Sequence, residues 1–416
     1  MNKVKKLLHF NIIICFFCHI CLVNAKQIQE KDYSLIIVDQ TKVELLKKSV
    51  PSLQLVRSDS RTSILKIENN HLEEVQETLH EESGKCGNYT YVPDGENGIS
   101  GEQEAIHIMN QLAVETQIQN MNDSLKYINN YAIKRQSLIN SWISKVQESN
   151  IKDVITDLSS FPTRYYQSNL SLAASKAIRE RWRYIMRNRR NSSVEFFWHS
   201  WRQPSVIAMI KGKNDKYIII GGHLDSINSS TVSDFAPGAD DNASGIATLT
   251  EILRVIEDDK YEPVNNIVVI GYAAEEVGLR GSADIAKFFR QKNRDVIGVL
   301  QLDMTNFNKA NPKNIYLTTD YTDAALTNYV DKLAREYLKI VPGKNTCGYG
   351  CSDHASWFKE GYPSVNPFEA DWDLKQYNTK IHTVEDTLMT MNNNANHSLL
   401  FAKLGLAFVG ELDVEN

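Results

Sequence analysis

The sequence predicts an α/β protein: a three-layer α/β/α sandwich with a mostly parallel mixed sheet, preceded by a small α+β unit. Short apolar runs rich in β-branched residues, such as 217–220 and 267–270, indicate buried strands of a parallel sheet. They alternate with amphipathic helical patterns, which is typical of one such sandwich. The chain has 416 residues, 42% of them hydrophobic, which is enough for a large core and for more than one domain.

Residues 1–25 have the pattern of a secretory signal peptide. A basic opening, 1–6, precedes an apolar run, 7–23, and small residues end the segment at Ala25, after which we expect cleavage. An uncleaved membrane anchor is the alternative, but the run is short of the roughly 20 apolar residues that a membrane span prefers, and it contains polar residues. We therefore expect secretion to the extracellular side, or into a periplasm, without stable membrane association.

Residues 26–134 form a second segment, which we predict to be a propeptide. Strands are predicted at 33–38, 53–56 and 63–67, helices at 43–50 and 71–81, and a polar, largely helical stretch at 102–134 after a glycine-punctuated link. No cluster of candidate ligands occurs here. A separate small unit of this kind in an exported chain indicates a removable propeptide that assists folding or blocks the site, and a permanent accessory domain is the alternative.

Residues 135–416 are predicted to form the larger α/β domain. Helices are predicted at 138–146, 154–158, 246–256, 282–291, 323–338 and 398–412, and strands at 205–210, 217–220, 267–270, 296–303, 314–318 and 364–368. Because parallel strands need crossover connections, this alternation places most strand ends at one edge of the sheet.

Polar side chains follow three of these predicted strands. His223, Glu275, Glu276 and Asp303 all fall where an apolar run ends, and open parallel sheets bind ligands beyond the carboxyl ends of their strands. Asp225 is placed to hold the imidazole tautomer of His223 that leaves the other ring nitrogen for a metal. Acidic and imidazole groups gathered in this way would repel one another or stay unsatisfied unless a cation joined them. The pattern predicts a metal site.

Six motifs then carry a resemblance to a known family. GGHLDS, PGADDNASGIA, AAEEVGLRGS, LQLDMTN, CGYGCSDHASW and IHTVEDTL follow one another in this order. From about residue 136 to its end, the chain resembles the secreted bacterial leucyl aminopeptidases, dizinc enzymes of metallopeptidase family 28. The resemblance implies two Zn²⁺ ions per chain and hydrolysis of the N-terminal residue from peptides, preferably leucine or another large apolar residue. It also implies a signal peptide and an inhibitory propeptide.

The resemblance assigns the metal ligands one by one. It implies that His223 and Asp303 hold one zinc ion, that Glu276 and His382 hold the other, and that Asp241 bridges the two. Imidazole and carboxylate ligands together suit Zn²⁺ and also admit Co²⁺ or Mn²⁺.

On the residues alone, some of these choices stay open. Asp240 competes with Asp241, and His354 competes with His382. Only the resemblance favours the second member of each pair.

The resemblance also implies the catalytic groups. Glu275 is expected to be the general base, and Tyr349 the hydrogen-bond donor to the oxyanion, with an ordinary packed tyrosine as the alternative. Cys347 and Cys351 bracket Tyr349, and a close cysteine pair in an exported protein indicates a disulfide, which the family also has here. A redox pair or a zinc clip fits less well, because both prefer a spacing of two residues.

Four apolar residues match positions that line the leucine-accepting pocket of the family: Met304, Phe368, Tyr377 and Ile381. They could equally be ordinary core. The stretch 370–376 differs in length and residues from the family pattern, which weakens the expectation of leucine preference.

The remaining expectations concern partners and alternatives. A net charge of −5 without a basic patch excludes nucleic acid as an expected partner. We expect a monomer whose partners are peptide N-termini and its own propeptide. A carboxypeptidase or a glutaminyl cyclase on the same fold is one alternative, and a non-catalytic binding protein is another, because fold does not fix function. The number of bound metal ions distinguishes a glutaminyl cyclase, which uses one metal, from an aminopeptidase that uses two.

Overall fold

A computed structural model describes residues 33–415, apart from 73, 76–77, 80–88, 93–101, 104, 107–108, 110–130, 232, 310–312 and 373. The predicted signal peptide, the glycine-punctuated link and most of the helical stretch 102–134 lie outside the described residues. The described residues belong to one compact unit. Among them, no helix combines the length and the apolar character needed to cross a membrane.

The N-terminal unit contains a four-stranded antiparallel sheet and a short helix. Its elements are β1 (Tyr33–Asp39), α1 (Val43–Ser49), β2 (Gln54–Ser58), β3 (Thr62–Glu68) and β4 (Tyr89–Val92). The strand order is β2-β3-β1-β4. One face of the sheet is buried against α1 and the residues that follow β3, because Ile36 of β1 and Leu65 of β3 share a core with Leu46 and Leu72. The predicted α+β unit is therefore present.

The larger domain is built on a six-stranded mixed sheet and a three-stranded sheet. Its strands are β5 (Ser192–Phe197), β6 (Ser205–Ile210), β7 (Lys216–His223), β8 (Asn266–Tyr272), β9 (Asp295–Gln301), β10 (Tyr316–Thr318), β11 (Gly343–Asn345), β12 (Ser364–Val365) and β13 (Pro367–Phe368). The large sheet has the order β12-β9-β7-β8-β6-β5, and the small one β11-β10-β13. Strands β12, β9, β7 and β8 run parallel to one another, β6 pairs antiparallel with β8, and β5 pairs antiparallel with β6.

Helices cover both faces of the large sheet. They are α2 (Gln136–Ile143), α3 (Glu148–Ser159), α4 (Asn169–Ile185), α5 (Gly245–Asp258), α6 (Arg280–Gln291), α7 (Ala324–Leu333), α8 (His354–Lys359) and α9 (Ser398–Leu412). Successive side chains of a strand point to opposite faces, and β7 shows this directly. Ile218 packs in one core with Leu249 of α5, whereas Ile219 packs in the other with Phe289 of α6. The predicted three-layer sandwich is confirmed.

Several elements differ from the sequence prediction, and the short strands β4 and β11 are among those that were not predicted. Helix α4 was not expected, because its buried apolar positions Ala174, Ile178 and Trp182 form a single narrow stripe on a polar helix. Strand β5 was not expected either, since it is a largely half-exposed edge strand. The predicted strand 364–368 is two short strands in different sheets, because the chain turns between β12 and β13.

Candidate metal centre

The carboxyl ends of β7, β8 and β9 meet at one edge of the sheet. His223 is the last residue of β7, Glu275 and Glu276 follow β8, and Asp303 follows β9. The parallel pairing of β7 with both neighbours brings these ends together. His223 Nε2 therefore lies 3.1 Å from Asp303 Oδ1, although 80 residues separate them in sequence.

Asp241 lies between two histidines. Its Oδ1 is 3.0 Å from His223 Nε2, and its Oδ2 is 3.1 Å from His382 Nε2. The neighbouring Asp240 turns elsewhere, because its Oδ1 accepts a hydrogen bond from the backbone N–H of Asn306 at 3.1 Å. The structure thus brings Asp241, and not Asp240, into the cluster.

A second group forms on the other side of Asp241. His382 Nε2 lies 2.9 Å from Glu276 Oε2. His354, the competing histidine, begins α8 and belongs to neither group. Burial lowers the pKa of His354 to about 3, which keeps its ring neutral. The described residues therefore contain two sets that can hold a metal ion, His223–Asp241–Asp303 and Asp241–Glu276–His382, with Asp241 shared.

The chemistry of these residues fits a pair of cations. All five side chains are buried, and the ligand atoms within each set lie within 4.8 Å of one another. Among the described residues, Glu276 Oε1 has no hydrogen-bond partner, whereas Glu276 Oε2 and Asp241 Oδ2 face His382 Nε2. Buried carboxylates without donors are costly, and divalent cations bound by oxygen and imidazole nitrogen would remove that cost.

Burial is the largest single influence on the pKa values of Glu276 and Asp241. Burial raises the pKa of Glu276 to about 7, and the charge of Asp241 adds to this. Burial would also raise the pKa of Asp241, but the rings of His223 and His382 outweigh it and hold that pKa well below its usual range. Asp241 therefore stays ionised more readily than Glu276 in the protein alone.

Glu275 faces the same space without belonging to either set. Its side chain lines a cavity together with the ligand candidates Asp241 and Asp303. Burial raises the pKa of Glu275 well above its ordinary value, the ring of His223 counteracts this, and the nearby Asp303 adds to it. A carboxylate with a raised pKa and access to the cavity is suited to take up a proton.

Asp225 contacts Glu275, Glu276 and His223, and these contacts match only in part the prediction that its side chain orients the His223 ring. Its carboxylate accepts hydrogen bonds from the backbone N–H groups of Glu275 and Glu276, at 3.0 and 3.1 Å. His223 Nδ1 is nearer to the backbone carbonyl of Asp225, at 3.2 Å, than to Oδ1, at 3.5 Å. The carboxylate therefore orients the two glutamates chiefly, and the backbone oxygen orients the histidine.

Residues outside the predicted set support the ligands. Ser352 Oγ donates to Asp303 Oδ2 at 2.6 Å. The carboxylate of Asp386 accepts hydrogen bonds from the backbone N–H groups of Asp240 and Asp241, each at 3.1 Å. Ser352 lies in the CGYGCSDHASW motif, and Asp386 lies in the IHTVEDTL motif. Both residues could therefore have been identified as supporting residues from the same motifs that gave the ligand and catalytic candidates.

Tyr349 is half-buried on a loop that a disulfide closes. Cys347 and Cys351 are bonded to each other, and Cys351 lines the cavity. The lining contributed by the described residues does not include Tyr349. Its role at the oxyanion therefore stays a prediction.

The four predicted pocket residues do gather in one place. Met304, Phe368 and Ile381 share a small buried cluster, and Tyr377 packs against it together with Trp372. Of the four, Met304 and Phe368 are among the described residues that line the cavity. Sequence reasoning missed Asn366 and Trp372, which also line it. Trp372 falls in the stretch 370–376 that differs from the family pattern.

Comparisons with known proteins agree with this geometry. The chain matches the model of peptidase family M28 over residues 205–406. It is 38% identical over 282 residues to leucine aminopeptidase 1 of the fungus Leptosphaeria maculans, a match that covers 65% of this chain and 72% of the relative.

Two solved structures from Legionella pneumophila are similar along nearly the whole chain. The LapA aminopeptidase superimposes with a TM-score of 0.80 at 27% identity, covering 92% of this chain and 99% of LapA. LapB superimposes with a TM-score of 0.75 at 28% identity, covering 92% of this chain and 100% of LapB. These similarities, together with the shared sequence motifs and fold, show that the chain is an enzyme of peptidase family M28.

Proposed function

We propose that the protein is an aminopeptidase that uses two zinc ions to hydrolyse the peptide bond after the N-terminal residue. The observation that carries the proposal is the position of Asp241, with one histidine facing each of its two oxygens in front of a cavity. The leucine aminopeptidase of Leptosphaeria maculans and LapA of Legionella pneumophila support it as relatives.

Each residue of the site has a distinct role in the proposed hydrolysis. His223 and Asp303 would hold one ion, Glu276 and His382 the other, and Asp241 both. When bound, the ions acidify a water molecule and polarise the substrate carbonyl. Glu275, which lines the cavity and has a raised pKa, takes the proton from the water and passes it to the leaving amine.

Two further features fit hydrolysis of a peptide bond next to a large apolar residue. Met304 and Phe368 give the cavity apolar walls next to the ligand carboxylates, which favours a large apolar terminal side chain such as that of leucine. Tyr349, on the loop beside the cavity, is proposed to donate a hydrogen bond to the oxyanion. We propose that the enzyme acts as a monomer on peptide N-termini.

The decisive experiment is the hydrolysis of leucine p-nitroanilide, with zinc counted on the same sample before and after chelation. We expect activity that disappears on chelation and returns with about two zinc ions per chain. Full zinc loading without cleavage of any amino-terminal substrate would reject the aminopeptidase and favour a carboxypeptidase or a binding protein. One zinc ion per chain would favour a cyclase.

We also propose that residues 1–25 direct secretion and that residues 26–134 are an inhibitory propeptide. The support for the inhibitory propeptide is a contact between β4 and the loop that carries the two glutamates. The backbone N–H of Tyr91 donates to the carbonyl of Gly278 at 3.3 Å. The ring of Tyr89 packs so closely on Gly278 that a Cβ there would meet it at 2.4 Å. The N-terminal unit therefore contacts the loop a few residues from Glu275.

A further inference from the structure

Arg164 is a fully buried arginine on the loop between α3 and α4. It lies outside the six sequence motifs and before residues 205–406, over which the chain matches the family model. Among the described residues, its guanidinium donates only to backbone carbonyls, and one of these, Leu158 at 3.2 Å, connects it to α3. A buried cation is costly unless hydrogen bonds and nearby charges compensate it.

The same guanidinium joins the two loops that carry His223 and Asp241. Its Nε donates to the carbonyl of Leu224 at 2.9 Å, directly after His223. Its Nη1 donates to the carbonyl of Pro237, and its Nη2 donates to that of Gly238 at 2.8 Å. These two carbonyls shortly precede Asp241. One planar group therefore fixes the distance between two backbone segments that each present a candidate ligand.

Gly238 and Ser226 shape the loop around this group. The φ of Gly238 is +50°, in the left-handed region that side chains rarely adopt. A Cβ there would meet Arg164 Nη2 at 2.7 Å. On the other loop, Ser226 Oγ accepts from the backbone N–H of Arg164 at 3.2 Å and donates to the carbonyl of Ala236 at 2.8 Å. Backbone and side chain of Arg164 thus hold the same two loops.

A third loop is connected through Gln203, which is fully buried. Gln203 Nε2 donates to the backbone carbonyl of Arg164 at 3.3 Å, and Gln203 Oε1 accepts from the N–H of Ala274 at 3.2 Å. Only this orientation of the amide satisfies both bonds. Ala274 directly precedes Glu275 and Glu276, so the loop of the proposed base is connected to Arg164 as well.

The charge of Arg164 suits its place beside the candidate ligands. Burial lowers the pKa of the guanidinium to about 10, and the carboxylates of Asp386, Asp225 and Asp241 counteract this decrease. The group therefore stays cationic at neutral pH. Asp225 and Asp386 belong to neither ligand set, so a fixed cation offsets negative charge that ions bound in those sets would not neutralise directly.

We infer that Arg164 is a positioning residue for the proposed metal centre, because its side chain sets the separation and direction of the loops that present His223 and Asp241. Ligands held in place by the fold bind a metal more tightly, since binding does not have to order them. The inference rests on the proposed function, because it takes both ligand sets to hold zinc when the enzyme acts.

Arg164→Lys is the sharpest variant, because lysine keeps the charge but replaces three nitrogen donors with one. We expect zinc affinity of the full-length chain, measured by competition with a chromophoric chelator, to fall about 10- to 100-fold. The Co²⁺-loaded variant should also show altered visible absorption bands, because these bands depend on the geometry of the ligands. A loss of global stability alone would not move them well below the unfolding temperature.

Arg189→Lys is the matched control. Arg189 is also a buried arginine, with a side chain that is 4% exposed, and its Nε lies 2.6 Å from Glu257 Oε1 outside both ligand sets. The same substitution there should leave zinc affinity and the Co²⁺ spectrum unchanged, even if it lowers the melting temperature.

Ser226→Ala is a milder second variant, because it leaves the guanidinium in place and removes only the hydroxyl that accepts from the backbone N–H of Arg164. We expect zinc affinity to fall about 2- to 10-fold, as for the loss of one hydrogen bond. Thermal unfolding establishes that each variant is folded. Wild-type zinc affinity and Co²⁺ spectrum in Arg164→Lys, or in Ser226→Ala if the lysine variant does not fold, would overturn the inference.

The wild-type chain separates this inference from the proposed function. Two bound zinc ions without cleavage of leucine p-nitroanilide would overturn the aminopeptidase function and leave the role of Arg164 to be decided by the variants. A wild-type chain that binds no zinc would overturn both.

Discussion

Asp225 shows how one carboxylate can organise several functional groups. It binds the backbone N–H groups of Glu275 and Glu276, while its own carbonyl oxygen lies 3.2 Å from His223 Nδ1. Adjacent side chains at a strand end point in different directions, so fixing the backbone there fixes two side chains at once. Asp225 therefore couples the proposed base to two proposed ligands.

Replacing Asp225 with asparagine is expected to weaken zinc binding. An amide offers one acceptor oxygen where the carboxylate uses two, so one of the two glutamate N–H groups loses its partner. We expect zinc affinity to fall about 10- to 100-fold, measured by competition with a chromophoric chelator. Asp259→Asn is the control, because Asp259 accepts from Trp142 Nε1 at 3.0 Å outside both ligand sets. Unchanged zinc affinity in Asp225→Asn would contradict the role given to this residue.

Matched substitutions of Glu275 and Glu276 distinguish the proposed base from the proposed ligand. Glu275→Ala should retain both zinc ions and lose turnover by about 10²- to 10⁴-fold, because it removes the proton acceptor and no ligand. Glu276→Ala should instead lose zinc, because Glu276 faces His382 at 2.9 Å. Zinc content and kcat measured on both variants decide the assignment, and the reverse pattern would mean that the two roles are exchanged.

The loop from Cys347 to Cys351 is held at several points. The backbone N–H groups of Cys347 and Gly348 donate to the carboxylate of Asp320, at 3.0 and 2.7 Å. The disulfide closes the loop across Tyr349. A short cross-linked loop restricts the positions that its central side chain can adopt, which favours a fixed hydrogen-bond donor.

Opening this loop is therefore expected to act through Tyr349. We expect Tyr349→Phe to lower kcat about 10²-fold, as for other oxyanion donors. The double variant Cys347→Ser, Cys351→Ser should lower kcat by less, since the hydroxyl remains but is less well placed. Added to Tyr349→Phe, the cysteine changes should have little further effect on kcat, because both act on one interaction. Fully additive losses would show that the disulfide acts independently of Tyr349.

The N-terminal unit and the larger domain meet at an aromatic contact around Arg280. The guanidinium lies 4.5 Å from the ring of Tyr91 and 4.6 Å from that of Trp201, and Nη1 donates to Tyr166 Oη at 3.0 Å. A cation enclosed by aromatic rings gives a specific contact. This contact is consistent with the proposed inhibitory propeptide.

Removal of the N-terminal unit by limited proteolysis should raise kcat/KM for leucine p-nitroanilide. Tyr89→Ala should partly activate the uncleaved chain, because it deletes the ring that packs on Gly278. The same variant should have no effect after cleavage. Tyr33→Ala is the control, since Tyr33 lies on β1 of the same unit, where Lys66 stacks on its ring. Equal rates before and after cleavage would identify a permanent accessory domain instead.

Local patterns were enough to predict the sheet and the edge that carries the site. Runs such as those in β7 and β8 are buried on both faces, so they stay apolar throughout and are recognisable without tertiary information. Helix α4 and strand β5 were not predicted, because partly exposed elements mix polar and apolar residues and lack a clear pattern. The candidate ligands were predicted because they follow recognisable strands or lie in motifs shared with a family.

By itself the sequence determined the sandwich, its strand ends and the residue types at the site. Only the tertiary structure decided which side chains meet. The orientation of Asp241 depends on Asp386, 145 residues away, and the direction of Asp240 depends on the N–H of Asn306. The physical reason is that the local pattern fixes the face to which a residue belongs, whereas side-chain direction is set by hydrogen bonds and packing between distant segments.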